Sequence, residues 1–116
     1  MTRQRAEQRG REAEREAEMW LRREGWAILD RRRRTSLGEI DLVMRRGAIV
    51  AFVEVKWRAE VAALAFAIDE RRLARVAAAA EAVGHEYCRP GDDMRIDVVL
   101  LAPGRRPDHI VNAWQP

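Results

Sequence analysis

Apolar residues recur along the chain with two different periods, one typical of helices and one typical of strands. Helical spacing predicts a first helix that ends near Gly25, with an apolar face made of Ala13, Ala17, Trp20 and Leu21. The same spacing predicts a second helix between Asp69, which can cap its N-terminus, and Gly84. The apolar residues of this second helix are Leu73, Val76, Ala77 and Ala80.

Strand-like segments fill most of the remaining chain. They span residues 26–33, 37–45, 48–57, 94–101 and 109–114, while residues 58–68 read as a linker or a short helical turn. The third segment is apolar on both faces as far as Val53, which is typical of a buried central strand. The resulting order, α-β-β-β-α-β-β, predicts an α/β (α+β) fold in which helices flank a mixed β-sheet.

The length of 116 residues predicts one domain. Because the first residues offer little to bury, we expect a flexible N-terminal segment over residues 1–10 and the domain over residues 11–116. No run approaches the ~20 apolar residues of a membrane helix, and the N-terminus lacks the apolar stretch of a signal peptide. With one cysteine, Cys88, we expect a cytoplasmic protein that has no membrane partner.

The basic residues are strongly unbalanced in type. Of 22 lysines and arginines, one is lysine, Lys56, and the other 21 are arginines. Codon usage in a GC-rich genome accounts for most of this ratio, and a subset of the arginines can bind phosphates through the bidentate guanidinium. Because arginine replaces lysine almost everywhere else, the single lysine indicates a position at which arginine cannot do the work of lysine. The net charge is only +3, so phosphate binding requires basic residues that are segregated on one surface.

Two charges follow the apolar run of the third predicted strand. Side chains alternate along a strand, so Glu54 and Lys56 share one face. If Arg46-Gly47 is a two-residue hairpin turn, Asp41 lies opposite Phe52 and diagonal to Glu54. Paired carboxylates in an oxygen-rich pocket suit Mg²⁺ or Mn²⁺, and a nearby ammonium can orient water or neutralise charge on a phosphate.

The spacing of these residues favours a metal site no more than it favours a simpler interpretation. A structural ion pair of Lys56 with Glu54 or Asp41 at the end of the sheet would also accommodate these charges. A third acid, Glu14, falls at the border of the apolar face of the first helix and can reach over the sheet edge. By geometry alone, however, an ordinary solvated glutamate is favoured at that position.

Two motifs stand out around these residues, Gly38-Glu39-Ile40-Asp41-Leu42-Val43 and Phe52-Val53-Glu54-Val55-Lys56. Together they resemble the core signature of the YraN family, a bacterial family predicted to be endonuclease-like. The family is similar in turn to archaeal Holliday-junction resolvases and to the PD-(D/E)xK, or restriction-endonuclease-like, superfamily. The resemblance extends over nearly the whole chain, from the first helix to residues 95–99 and 109–114.

The resemblance implies a restriction-endonuclease-like mixed sheet and one or two Mg²⁺ or Mn²⁺ ions at the end of its central strands. Its metal ligands would be Asp41, Glu54, the backbone carbonyl of Val55 and Glu14. Catalysis would depend on the same acids together with Lys56, and Glu39 would support them from a neighbouring position. The implied function is a metal-dependent endonuclease that hydrolyses phosphodiester bonds of DNA, with branched or damaged DNA as candidate substrates. The alternatives are a non-catalytic nucleic-acid-binding or partner-binding module with the same fold and, less strongly, a purely structural interaction protein.

The chain also departs from the pattern of these relatives. Ile40 stands where the superfamily name has proline, and Ala13 precedes Glu14 where relatives often have glycine. A lysine common near the start of the second helix is missing, and Arg71 or Arg72 replaces it only if its role is to contact phosphate. The side chains expected to contact nucleic acid are Arg33, Arg34, Arg58, Arg71 and Arg72. A homodimer is expected if the substrate is a four-way junction, because paired cuts need two sites.

Overall fold

The computed structural model describes residues 2–114, which form a five-stranded sheet with one long helix on each face. The helices are α1 (Arg3–Arg23) and α2 (Glu70–Val83), and the strands are β1 (Ala27–Arg34), β2 (Glu39–Arg46), β3 (Ile49–Trp57), β4 (Asp93–Leu101) and β5 (Asp108–Ile110). Short 3₁₀ helices span Val61–Phe66 and Gly84–Glu86. The predicted element order and the α+β class, a mixed sheet flanked by helices, are confirmed. This architecture is consistent with the restriction-endonuclease-like fold.

Strand β3 lies at the centre of the sheet, whose strand order is β1-β2-β3-β4-β5. It pairs antiparallel with β2 and parallel with β4, and α2 lies on the connection that the parallel pair requires. Residues 50–54 of β3 are buried, as the apolar run predicts. The centre of the sheet therefore carries Glu54 and Lys56 at its carboxyl end.

Each face of the sheet has its own apolar core. On one face Val50 and Phe52 pack with Leu73 and Val76 of α2. On the other face Ala51 and Val53 pack with the buried stripe of α1, which is made of Ala13, Ala17 and Leu21. The alternation of strand side chains thus assigns even-numbered residues of β3 to α2 and odd-numbered ones to α1.

The β2–β3 hairpin turns one residue later than predicted. Arg46 pairs with Ile49, so Gly47 and Ala48 form the turn. Gly47 has φ 60°, and positive φ at the first central position is the reason a type II′ turn takes glycine there. The register consequently moves by two residues, and continuing it past Leu42↔Val53 sets Asp41 opposite Glu54 rather than Phe52. A shift of two preserves the predicted faces.

Both chain ends differ from the predicted element bounds. Helix α1 begins at Arg3, where the Thr2 hydroxyl accepts from the amide of Arg5 at 3.2 Å, so most of the segment 1–10 is helical. Met1 lies outside the described residues, and the flexibility of the segment stays a prediction. Strand β5 ends at Ile110, four residues before the predicted end. Within residues 2–114, no helix has the length and apolar character needed to cross a membrane.

The early end of β5 follows from a buried carboxylate. Asp97 of β4 is fully buried and accepts from Arg95, from His109 Nε2 at 2.7 Å and from the amide of Asn112 at 2.9 Å. Burial raises the pKa of Asp97, but these hydrogen bonds lower it by more than burial raises it. The pKa of Asp97 therefore lies below its usual range. Asp97 therefore stays charged and holds the C-terminal segment against β4.

We expect Gly38→Ala to destabilise the fold, because the backbone of α2 leaves no room for a side chain there. A Cβ atom at Gly38 would lie 2.9 Å from the carbonyl oxygen of Arg75 and 3.2 Å from its carbonyl carbon. Backbone atoms cannot move aside as a flexible side chain can, so the free energy of unfolding should fall by about 1–3 kcal/mol in urea denaturation.

Gly10→Ala in α1 is the matched control for Gly38→Ala. A Cβ atom at Gly10 meets no atom within 4 Å, and alanine in a helix interior is favoured over glycine by about 0.5–1 kcal/mol. This variant should therefore be slightly more stable than the wild type. A Gly38→Ala protein as stable as Gly10→Ala would contradict the close approach of α2.

Candidate active site

Three of the predicted site residues meet at one end of the sheet, where β2 begins and β3 ends. Asp41 and Glu54 are 5% and 2% exposed, and the side chain of Lys56 is 20% exposed. They come together because β2 and β3 are antiparallel neighbours, so the start of one strand lies beside the end of the other.

Asp41 is held by the backbone of the neighbouring strand. The amide of Val55 donates to Asp41 Oδ2 at 2.8 Å. Burial and the negative charge of Glu54 nevertheless raise the pKa of Asp41 to about 7, with a smaller contribution from Glu14. A carboxyl in this state takes up a proton or favours a nearby cation around neutral pH.

Glu54 has one engaged oxygen and one unpartnered oxygen. Its Oε1 accepts from Arg72 Nε at 2.6 Å and lies 3.3 Å from Lys56 Nζ. Its Oε2 is buried and has no hydrogen-bond partner among the described residues. The predicted Glu54–Lys56 ion pair is thus present, but it leaves Glu54 Oε2 without a partner, and the charge of Arg72 offsets the burial of Asp41 only in part.

The two carboxylates fit the needs of a small divalent cation. Mg²⁺ is commonly bound through one or two carboxylates, with waters and substrate phosphates completing the octahedron. Asp41 and Glu54 Oε2 supply such oxygens in a buried setting. Among residues 2–114, no group of three or more His, Cys, Asp or Glu side chains is placed to hold a metal ion. A cation here would therefore depend on these two acids, on water and on substrate oxygens.

Glu14 lies at the edge of the α1 stripe, as its helical position predicts. Its Oε1 accepts from Arg32 Nε at 2.9 Å, and its side chain is 19% exposed. Glu14 is close enough to raise the pKa of Asp41, but its direct partner is an arginine. The role of Glu14 as a metal ligand stays a prediction.

Arg32 is a residue whose importance the sequence does not indicate. It adopts φ 48°, a left-handed conformation that is uncommon for a residue with a side chain. Residues in such strained conformations cluster at functional sites. Because Arg32 belongs to a run of four arginines, neither composition nor alternation distinguishes it from its neighbours.

Arg72 reaches the site from α2. Asp69 caps the helix by accepting from the amides of Arg71 and Arg72, which fixes where the first turn begins. The side chain of Arg72 remains 49% exposed even though it contacts Glu54. It therefore contacts the acidic pair directly, whereas the sequence predicted only a contact with phosphate.

The other arginines expected to contact nucleic acid occupy different surroundings. Arg33 forms a bidentate pair with Glu86, and Arg34 lies 3.9 Å from Glu39 with its side chain 81% exposed. Arg58 donates to the carbonyl of Trp57, and Arg71 is exposed with no side-chain partner among the described residues. An open groove of about 300 Å³ connects Arg58 with Lys56 and Glu14. Arg72 thus contacts the acidic pair and Arg58 shares a groove with Lys56, while Arg71 is the chain neighbour of Arg72 and Arg33 is engaged by Glu86.

Fold and site together define an α+β protein with a buried acidic pair beside a lysine at the end of a mixed sheet. The chain belongs to the uncharacterised protein family UPF0102, whose model matches residues 13–101, and the YraN-family resemblance is thereby confirmed. It is similar to the UPF0102 protein of Erythrobacter litoralis, at 63% identity over 116 residues and 100% of both chains. It is similar also to the UPF0102 protein of Sphingopyxis alaskensis, at 60% over 116 residues and 100% of both chains. The UPF0102 protein of Rhizorhabdus wittichii is 54% identical over 109 residues, which cover 94% of this chain and 92% of that relative.

We expect Asp41→Asn to stabilise the metal-free protein at alkaline pH. Folding raises the pKa of Asp41 from its ordinary value of 3.8 to about 7. Such a carboxyl contributes fully to stability below pH 3.8, and this contribution is lost as the pH rises through about 7. The stability advantage of Asp41→Asn should therefore grow between about pH 4 and pH 7 and level off above, in urea denaturation with a chelator.

Asp93→Asn serves as the matched control for this experiment, because Asp93 is an exposed aspartate at the start of β4. The stability difference between Asp93→Asn and the wild type should change little over the same pH range. If the Asp41→Asn difference is equally flat, the raised pKa of Asp41 is contradicted.

Proposed function

We propose that this protein is a divalent-metal-dependent endonuclease that hydrolyses phosphodiester bonds of DNA. The observation that carries the proposal is the buried pair Asp41 and Glu54, of which one oxygen has no partner and one carboxyl has a raised pKa. A pair of this kind next to an ammonium suits a cation and a phosphate better than it suits a closed ion pair. Branched and damaged DNA are included among the candidate substrates.

The ligands proposed for Mg²⁺ or Mn²⁺ are Asp41, Glu54 and the carbonyl of Val55, completed by water and substrate oxygens. Glu14 accepts from Arg32 and would join them only by giving up that contact. When bound, the ion would supply Lewis acidity toward a phosphate oxygen. The amide of Val55 orients Asp41, and Arg72 restrains Glu54 from the α2 side. Both contacts limit the rotation of these carboxylates, as a site that must position a phosphate requires.

Lys56 is the proposed catalytic ammonium of the site. Its Nζ lies 3.3 Å from Glu54 Oε1, on the same strand face, and its side chain is partly accessible. From this position it can orient an attacking water or neutralise negative charge on the phosphate in the transition state. Lysine suits the task because its ammonium is compact and can release a proton, whereas arginine stays protonated.

The DNA backbone would lie against the arginines that adjoin the site. Arg71 has an exposed, unpaired side chain among the described residues, Arg72 is half exposed, and Arg58 lines the groove next to Lys56. Each duplex phosphate neutralised by such a residue should lower the logarithm of affinity by about 0.9 per log unit of salt. Glu39, which is near Arg34, would support the site by holding a basic residue.

A non-catalytic nucleic-acid-binding or partner-binding module is the second candidate. The observation in its favour is that Glu54 Oε1 already contacts two cations, Arg72 and Lys56. One carboxylate between two cations can serve as a structural ion-pair network, and breaking it would mainly lower the stability of the fold.

Cleavage of end-labelled linear, forked and four-way DNA with Mg²⁺ or Mn²⁺ separates the two candidates. We expect Glu54→Gln and Lys56→Arg each to lower the cleavage rate at least about 100-fold, because each removes a group that acts on the transition state. Lys56→Arg retains the positive charge and so tests the requirement for lysine itself. Arg23→Gln, at an exposed position at the end of α1, is the control and should cut as the wild type does.

The outcomes of this assay are distinct. Metal-dependent cutting that survives both Glu54→Gln and Lys56→Arg would contradict the residue assignment. DNA binding without cutting under either metal would favour the non-catalytic module. If the wild type shows neither binding nor cutting and Glu54→Gln changes only stability, the acidic pair is structural.

A further inference from the structure

Phe66 is the most exposed of the large apolar side chains in the described chain. It is 87% exposed and ends the 3₁₀ segment Val61–Phe66, and Val61 and Ile68 nearby are 46% and 38% exposed. Single exposed apolar residues are normal on protein surfaces, whereas clustered ones indicate an interaction site, and these three lie within eight residues of the chain.

The segment that carries Phe66 also forms part of the wall of the candidate site. Ala67, Ile68 and Asp69 line a small cavity together with Glu54 and Lys56. Leu64 and Ala67 are 5% and 2% exposed, so the backbone on both sides of Phe66 is anchored in the core that α2 covers. Phe66 is therefore exposed to solvent directly before the residues that line the cavity at Glu54 and Lys56.

Basic groups flank this ring along the chain. Arg58 precedes the 3₁₀ segment, and Arg71 and Arg72 follow it at the start of α2. Proteins that bind single-stranded nucleic acid combine such cations, which contact the backbone, with aromatic rings on which bases stack. Glu60 and Glu70 lie in the same stretch, so charge alone does not favour a duplex backbone here, whereas the ring favours a base.

We propose that Phe66 is a stacking platform for an unpaired DNA base adjacent to the phosphodiester bound at Asp41 and Glu54. Bases inside a continuous duplex already stack on each other, so only an unpaired or extruded base offers a free face to Phe66. The protein would consequently prefer DNA that contains unpaired bases over fully paired DNA. This inference depends on the proposed function, because it names the substrate class of the same site.

Fluorescence anisotropy with the full chain tests this preference. The probes are a labelled short duplex and the same duplex with a run of unpaired bases in one strand, both built with hydrolysis-resistant phosphorothioate linkages and measured with Mg²⁺, so that the metal-dependent contact is kept without cutting. We expect Phe66→Ala to weaken binding of the unpaired probe between about fivefold and a hundredfold, which is the range for loss of one stacked base. Binding of the paired probe should change by less than about twofold, a loss too small for a stacked base.

Two further variants complete the comparison. Phe66→Trp keeps an aromatic face and should retain the preference for the unpaired probe. Met19→Ala removes an apolar side chain that is 60% exposed on α1, and it should bind both probes as the wild type does. Because Phe66 is so exposed, the melting temperature of Phe66→Ala should equal that of the wild type, which excludes unfolding as the cause of any loss.

Other results would overturn the inference. Equal losses on both probes, or no loss on either, would contradict a stacking role for Phe66. Dissociation of a dimer by Phe66→Ala, seen in sedimentation with unchanged DNA binding, would assign the ring to an interface between copies of this chain. A wild type that neither binds nor cuts DNA would contradict the proposed function itself, whereas cutting that is indifferent to Phe66 would contradict the stacking role alone.

Discussion

Two carboxylates of like charge, Asp41 and Glu54, are buried side by side on adjacent strands, and the surrounding structure is arranged around them. The amide of Val55, the guanidinium of Arg72 and the ammonium of Lys56 each offset part of the unfavourable energy. The compensation is incomplete, because the pKa of Asp41 stays near 7 and Glu54 Oε2 has no partner among the described residues. Incomplete compensation is what a site for a cation and a phosphate requires, since a fully satisfied ion pair would bind neither.

The fold brings residues from both sides of the sheet to this pair. The buried stripe of α1 sets Glu14 at the sheet edge, and the Asp69 cap fixes the turn from which Arg72 reaches Glu54. The apolar pattern that forms the two cores therefore also determines where the charged residues lie. In the middle of the neighbouring strand β4, Asp97 is satisfied by its donors, and it shows how a purely structural buried carboxylate differs from Asp41.

The parts of this structure that follow from periodicity could be predicted, and the parts that depend on local backbone detail could not. Alternation along β3 assigned Glu54 and Lys56 to one face, and the placement of Asp41 on that face survived an error in the turn because the register moved by two residues. The early start of α1 carries no apolar signal, since pairs such as Arg3–Glu7 extend the helix through its charged residues. The contact of Arg32 with Glu14 depends on a left-handed residue in β1, which a run of arginines cannot indicate.

Binding of Mn²⁺ to the intact protein above pH 7, followed by electron paramagnetic resonance, tests most directly whether the buried pair is a cation site. Wild-type protein should bind Mn²⁺, and Asp41→Asn and Glu54→Gln should each remove most of that binding. Glu60→Gln, which changes an exposed acid without a side-chain cap bond, should leave it intact. A wild type that binds no Mn²⁺, or variants at Asp41 and Glu54 that bind it as tightly as the wild type, would contradict the account.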